Sequence, residues 1–218
     1  MTAEVGRRGV SLGGALYVVG VVQFFASIYL TGLRYGPPSY SPLRNTISDL
    51  QAVNCGVFQG NQVCSPLHVL ANSSVAVLGL LLVMGTVLFR RSLPAGRRRT
   101  VAIGLMIVAG LATFANAFTP EDVTYLGDLA TALVAFLCAN FGLIQIGRLM
   151  SATPSWRGFY PLTEVLGVVG LGALILDGAN VIGPLGSGGM EWLIVAPALL
   201  WMLATGVFLL MPGVSSRF

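Results

Sequence analysis

VLGVVGLGALILDGANVI, residues Val165–Ile182, is apolar or glycine except for Asp177 and Asn180. A run of this length is close to the ~20 residues that carry a helix across the hydrocarbon of a bilayer. A carboxyl group in such a run is costly and faces a cavity or a partner. Asp177 is therefore both the exception in the helix and the first candidate functional residue.

Five other segments are as apolar as this one. The expected spans are Leu12–Leu33, Pro66–Leu88, Val101–Phe118, Tyr125–Ile146, Pro161–Ile182 and Trp192–Leu210. The predicted fold class is all-α: a polytopic membrane bundle of six transmembrane helices, one bundle over residues 1–218. Composition agrees, with 55% hydrophobic and 9% charged residues against the roughly 25% charged of a soluble domain. Mean hydropathy is +0.82. The first helix is too long for the apolar core of a signal peptide and shows no convincing cleavage site, so it reads as retained.

All 12 basic residues are arginine, which removes lysine Schiff-base chemistry. His68 is the one histidine, too few for a bis-histidine haem or a multi-histidine zinc site. There is no CxxC pair and no phosphate-cradling glycine loop. No metal and no cofactor is expected. The net charge of +4 does not point to nucleic acid, because the arginines follow membrane topology. Arg7, Arg8, Arg90, Arg91, Arg97, Arg98, Arg99, Arg148, Arg157 and Arg217 fall on one side, and Arg34 and Arg44 on the other. The positive side is cytoplasmic. A multi-pass cell-membrane protein with both termini in the cytoplasm and the 34–65 loop outside is predicted.

That loop carries its own signals. Ser41-Pro42 reads as an N-cap with proline at the first helical position. Leu43, Ile47 and Leu50 then recur at helical spacing, which predicts a short amphipathic helix at the outer interface. Ser65-Pro66 repeats the cap signal ahead of the second span. Cys55 and Cys64 bracket a short polar stretch on the oxidising side, where a disulfide staple is favoured. Cys138, mid-membrane, reads as a small packing residue.

The stretch Tyr40-Ser41-Pro42-Leu43-Arg44-Asn45-Thr46-Ile47-Ser48-Asp49-Leu50, with Cys55, Cys64-Ser65-Pro66-Leu67-His68 and Asn72-Ser73, resembles bacterial membrane proteins catalogued as domain of unknown function 998. The resemblance implies a six-helix bundle and supplies no activity. In size and general plan the chain is also similar to small bacterial membrane terpene cyclases.

Counting along the helices places a polar set at one depth, in the outer third of the membrane. Asp177 and Asn180 come from the fifth span, Asn72 and His68 from the second, Asn116 from the third and Asp128 from the fourth. Polar groups in lipid turn inward to find partners, so these residues are expected to converge at the outer mouth, with the loop helix, Arg44 and Asp49 as a lid. Asp177, Asp128 and His68 are the expected catalytic groups. Arg44, Asp49, Asn72, Asn116, Asn180, Tyr125 and Phe114 are the expected substrate contacts, with Tyr29 and Phe136 as further aromatic walls. Glu121 and Asp122 after Thr119-Pro120 read as a capping box for the fourth helix. Asn140 reads as an interhelical hydrogen bond and His68 as a satisfied interfacial side chain as well as a candidate.

Two carboxyls in different environments equip a site for acid and base work. The leading expectation is an integral membrane enzyme that protonates an apolar lipid or isoprenoid substrate with Asp177 or Asp128, terpenoid cyclisation being its sharpest form. Its partners are membrane lipid and an apolar small molecule. A proton-coupled carrier and a non-enzymatic lipid-binding scaffold are the alternatives.

Overall fold

The computed structural model of the chain describes residues 2–58, 60–181, 183–212 and 214, with side chains from Arg8 onward. Among these residues six helices are long and apolar enough to cross a membrane. They are α1 (Thr2–Leu33), α3 (His68–Phe89), α4 (Arg97–Asn116), α5 (Tyr125–Ser151), α6 (Tyr160–Gly178) and α7 (Gly186–Leu210). A short helix, α2 (Ile47–Gln51), and a hairpin of β1 (Gly56–Phe58) and β2 (Asn61–Val63) lie between α1 and α3. The long helices touch in the order α1–α3–α4–α5–α6–α7 and back to α1, a closed ring. The end bearing residues 34–65 is called the loop end below.

Small residues set the ring's tightest crossings, as expected where no hydrophobic effect drives helices together. A Cβ on Gly14 of α1 would lie 2.9 Å from the Gly206 carbonyl of α7. One on Gly79 of α3 would lie 2.5 Å from the Gly110 carbonyl of α4. Gly167, Gly170 and Ala173 are the buried face of α6, and Gly170 lies directly against the Asn140 side chain of α5. Asn140 also donates to the Ile194 carbonyl of α7 (3.4 Å), the interhelical bond expected of it.

The end opposite the loops is sealed by aromatic rings. Trp156 Nε1 donates to the Ser92 carbonyl (3.1 Å), and the Tyr17 hydroxyl pairs with Thr86 Oγ1 (3.0 Å). Trp201 packs on Tyr17 and on Phe89 with ring centroids 5.5 Å apart, and Phe208 lies 4.9 Å from Trp156. Of the arginines used for orientation, Arg217 and the Arg7 side chain lie outside the described residues.

Several boundaries depart from expectation for identifiable reasons. The fifth span was expected to reach Ile182, which lies outside the described residues. α6 stops at Gly178, because Val181 N–H turns back to the Leu176 carbonyl (2.8 Å) and Asn180 takes φ 59°, the left-handed end of a helix. Ser41-Pro42 makes one turn, with Asn45 N–H on the Ser41 carbonyl (2.7 Å), and the helix starts only at Ile47. Its cap is Thr46, whose hydroxyl accepts from Asp49 N–H while Asp49 accepts from Thr46 N–H, a capping box. Ser65 does not cap α3 either, since its hydroxyl is committed to the Leu50 carbonyl (2.7 Å).

Cys55 and Cys64 form the expected disulfide. It closes the base of a hairpin the sequence reading did not contain, registered Gly56 to Val63 and Phe58 to Asn61. Phe58 then rests edge-on against Tyr125 at the head of α5 (6.1 Å). Closing so short a loop stabilises it by about 3 kcal/mol in the chain-entropy account. Reduction, or paired substitution to serine, should therefore expose the hairpin. Chymotryptic cleavage after Phe58 should accelerate sharply, while the helical circular dichroism of the bundle stays unchanged.

Candidate functional site

All five residues of α2 are buried, so it is not a helix lying on the interface but a plug set into the loop end of the ring. Five residues make almost no intrahelical ladder, so nearly every backbone group needs an outside partner. Three are supplied, each by a different element. Ile47 N–H donates to the Glu191 carboxylate of α7. The Leu50 carbonyl accepts from Ser65 (2.7 Å), and the Gln51 carbonyl accepts from Asn72 Nδ2 of α3 (3.0 Å). Gln51 Nε2 returns a bond to Asn72 Oδ1 (2.9 Å). Ile47 and Leu50 join the apolar core.

Carboxyl groups gather beneath this plug. Asp49 accepts from Asn45 Nδ2 (2.8 Å). Asp128, in the first turn of α5, accepts from Asn116 Nδ2 of α4 (2.8 Å) and from the Ser48 hydroxyl (3.4 Å). Asn116 is held in turn by Thr131 (3.1 Å). Glu121, buried in the α4–α5 connection, shares a hydrogen bond with Asp49, and the charges acting on it come from Asp49, Asp128 and Glu191, all acidic. Glu191 completes the set. Four carboxyls from α2, the α4–α5 connection, α5 and α7 thus converge.

Burial first, then the bond shared with Asp49 and the surrounding acids, pushes the Glu121 carboxyl up to about 9. Glu121 therefore carries a proton at neutral pH. It binds that proton more tightly in the folded protein than in the unfolded chain. The stability it contributes is complete below its ordinary 4.5 and is lost as pH rises through about 9. The thermal midpoint of the detergent-solubilised protein should fall across that window, and Glu121→Gln, which is neutral throughout, should flatten the fall.

Neither Glu121 nor its neighbour Asp122 caps the next helix, whose Thr124 N-cap has no side-chain bond. Burial alone would raise the Asp122 carboxyl. Bonds from Val53 N–H, Asn54 N–H and Asn54 Nδ2 outweigh it and hold Asp122 below the usual carboxylate range. Asp122 is a clasp for the start of the hairpin loop.

Under the plug lies a cavity of about 90 Å³. Its loop-end rim is Ser48, Gln51, Asn116 and Glu191, and its walls are apolar, with Phe24, Val75, Leu78, Phe136 and Ile194 among them. Asn140 is the polar group at depth. The volume is several times the ~10–15 Å³ that one water requires by a comparable measure.

The expected residues divide. Asp128, Asn116, Asp49 and Asn72 are in the network, and Phe136 walls the cavity. Asp177 is exposed at the end of α6 and does not line the cavity. Asn180 is exposed and serves as the turn that ends α6. Arg44 is exposed and donates to the Ser39 carbonyl (2.9 Å), so it gives the acids no ion pair. His68 Nδ1 pairs with the Ser65 carbonyl (3.0 Å) at the start of α3, apart from the cavity lining. Phe114 packs on Phe118 (5.1 Å), and Tyr29 and Tyr125 are exposed, so none of the three walls the cavity.

Glu191 was missed. With the last span expected to begin at Trp192, it fell one residue outside. α7 begins at Gly186, which puts Glu191 more than a turn inside the helix. An acid between Met190 and Trp192, at the head of an apolar run, was the available signal. The glycines before it also matter. The backbone of residues 42–45 lies on Gly186 and Gly188, Ser187 Oγ donates to the Arg44 carbonyl (2.9 Å), and Gly189 N–H donates to the Leu43 carbonyl (3.3 Å). α7 therefore seats the plug.

A family model described as "Protein of unknown function (DUF998)" matches residues 18–208, and the chain belongs to that family. No curated protein matches the chain. No solved structure matches it either, so the likeness to terpene cyclases rests on size and plan alone.

Proposed function

We propose that this member of the DUF998 family is an integral membrane enzyme that takes the end of an apolar, lipid- or isoprenoid-like molecule into the cavity and protonates it, with Glu191 as the donor. One observation carries the reading: Glu191 is at once the acidic group on the wall of a largely apolar cavity and a member of the carboxyl cluster. Such a cavity shields a cationic intermediate from water, and the cluster beside it stores and returns protons. In the cyclisation form the proton adds to a C=C bond, the cation closes a ring, and a proton leaves to a carboxylate, so no other reactant is consumed. Asp128 positions the rim through Ser48 and Asn116, and Phe24 and Phe136 line the cavity with aromatic rings, which stabilise positive charge. The arginine distribution orients the loop end to the outside, with the termini in the cytoplasm. A carrier is less well supported, because the ring of aromatics closes the opposite end.

The reading is tested by incubating the protein in liposomes with a panel of isoprenols and lipids and following products by mass spectrometry. The expected product is an isomer of unchanged mass. Ala135 lines the cavity, so Ala135→Phe should fill it and abolish conversion while leaving thermal stability intact or raised. A panel with no converted member, in wild type as in variant, would leave the lipid-binding scaffold as the better account.

A further inference from the structure

The cavity has a neighbour on the flank of the bundle. Between the loop-end halves of α1 and α7 runs a groove of about 480 Å³, walled by Phe25, Tyr29, Gly32, Tyr40 and Trp192. Tyr29 is 67% exposed and Phe25 41%, so the groove opens outward where the spans meet the bilayer. A single layer of rings divides it from the cavity. Phe24 lines the cavity, while Phe25 and Trp192 line the groove. Trp192 contacts both, stacked on Phe25 (5.9 Å, 10°) and edge-on to Phe24 (6.3 Å, 60°). Glu191, the residue before Trp192, is on the cavity side.

α2 covers the loop end, its backbone tied to Glu191, Ser65 and Asn72, and aromatic rings fill the opposite end. α1 and α7 meet backbone to backbone at Gly14 and Gly206. Phe25 lies about 16 Å further along α1 at 1.5 Å per residue, where the seam is made of rings. Rings move by side-chain rotation, whereas the backbone contact at the glycines fixes the crossing.

We propose that this seam is the lateral entrance, through which an apolar chain passes from the bilayer into the cavity as the Trp192 indole swings off Phe24. The inference rests on the reading of the cavity as the substrate site and adds to it the shape of the substrate. The cavity of about 90 Å³ receives the reacting end, and the groove of about 480 Å³ holds the chain behind it. The substrate is then a long single apolar chain, drawn from the leaflet at the loop end, that never crosses the polar plug.

Farnesol bearing a terminal diazirine is the probe. It is added to the protein in phosphatidylcholine liposomes and photolysed at a series of times, and adducts are mapped by mass spectrometry. In wild type, adducts should form first on Tyr29 and then on the cavity residues Phe24 and Phe136. Gly32→Phe fills the groove and should slow cavity labelling severalfold. Trp192→Ala removes the swinging ring and should speed it severalfold. Effects of opposite sign do not arise from misfolding. Equal cavity labelling in all three proteins, or a shift in the same direction in both variants, would overturn the entrance. Cavity residues that stay unlabelled in every protein would overturn the substrate-site reading itself, and the entrance with it.

Discussion

Glu191→Gln protein should fold, insert and keep its thermal midpoint, yet lose about 100- to 10,000-fold in turnover, the usual cost of removing a general acid. The amide matches the carboxyl in shape, and its Oε1 can accept from Ile47 N–H as the carboxylate does, so the seat of α2 survives. What disappears is the labile proton on the cavity wall. Asp128→Asn should cost less, because Asp128 acts through Ser48 and Asn116, and an amide can still accept from Asn116 and donate to Ser48. Asp177→Asn should leave turnover unchanged, since that side chain is exposed and outside the cavity lining. The ranking is measured on whichever substrate the liposome panel identifies, with thermal denaturation in parallel. Full turnover by a folded Glu191→Gln protein would end the acid-catalysis reading. A loss confined to Asp177→Asn would return the site to the end of α6.

The contrast between Asp177 and Glu191 shows which information the residues carried. Six apolar runs announce the spans, since a charge in hydrocarbon is costly wherever it lies. Depth along a helix follows from counting, and Asn72, Asn116 and Asp128 did converge. Which way a residue faces around its helix does not follow from depth. Asp177 sits near the right level and faces out, while Glu191 faces in. The loop misled for another reason. Ser41-Pro42 and Ser65-Pro66 have the composition of caps, but Ser41 N–H donates to Asn45 Oδ1 within a single local turn, and the Ser65 hydroxyl is committed to the distant Leu50 carbonyl. The true cap, Thr46-Ile47-Ser48-Asp49, was in plain view as a threonine followed three residues later by an acid. The hairpin is shorter than any periodicity can reveal, and its pairing follows the cystine.

Gly188→Val should unseat the plug and cost the protein about 1–3 kcal/mol or more, the range for forcing atoms into a packed site. A Cβ at Gly188 would fall on the Asn45 carbonyl oxygen, with Asn45 C and the Pro42 carbonyl oxygen each 2.7 Å away. These neighbours are backbone, so no side chain can swing aside. The loop must move, and residues 41–46 carry with them the Thr46 cap, the Ile47 bond to Glu191 and the Asn45 bond to Asp49. One substitution at the edge of α7 should therefore open the whole carboxyl cluster to water. At roughly 2–4 °C per kcal/mol for a chain of this size, the midpoint shift is readily measured. Gly172→Ala is the control. It is also a helix glycine, but a Cβ there meets nothing within 4 Å, and alanine favours the helix, so stability should hold or rise. Hydrogen exchange should report the same event locally, with α2 amides losing protection in Gly188→Val and the six long helices keeping theirs. Retained α2 protection in that variant would mean that the plug does not depend on its seat on α7.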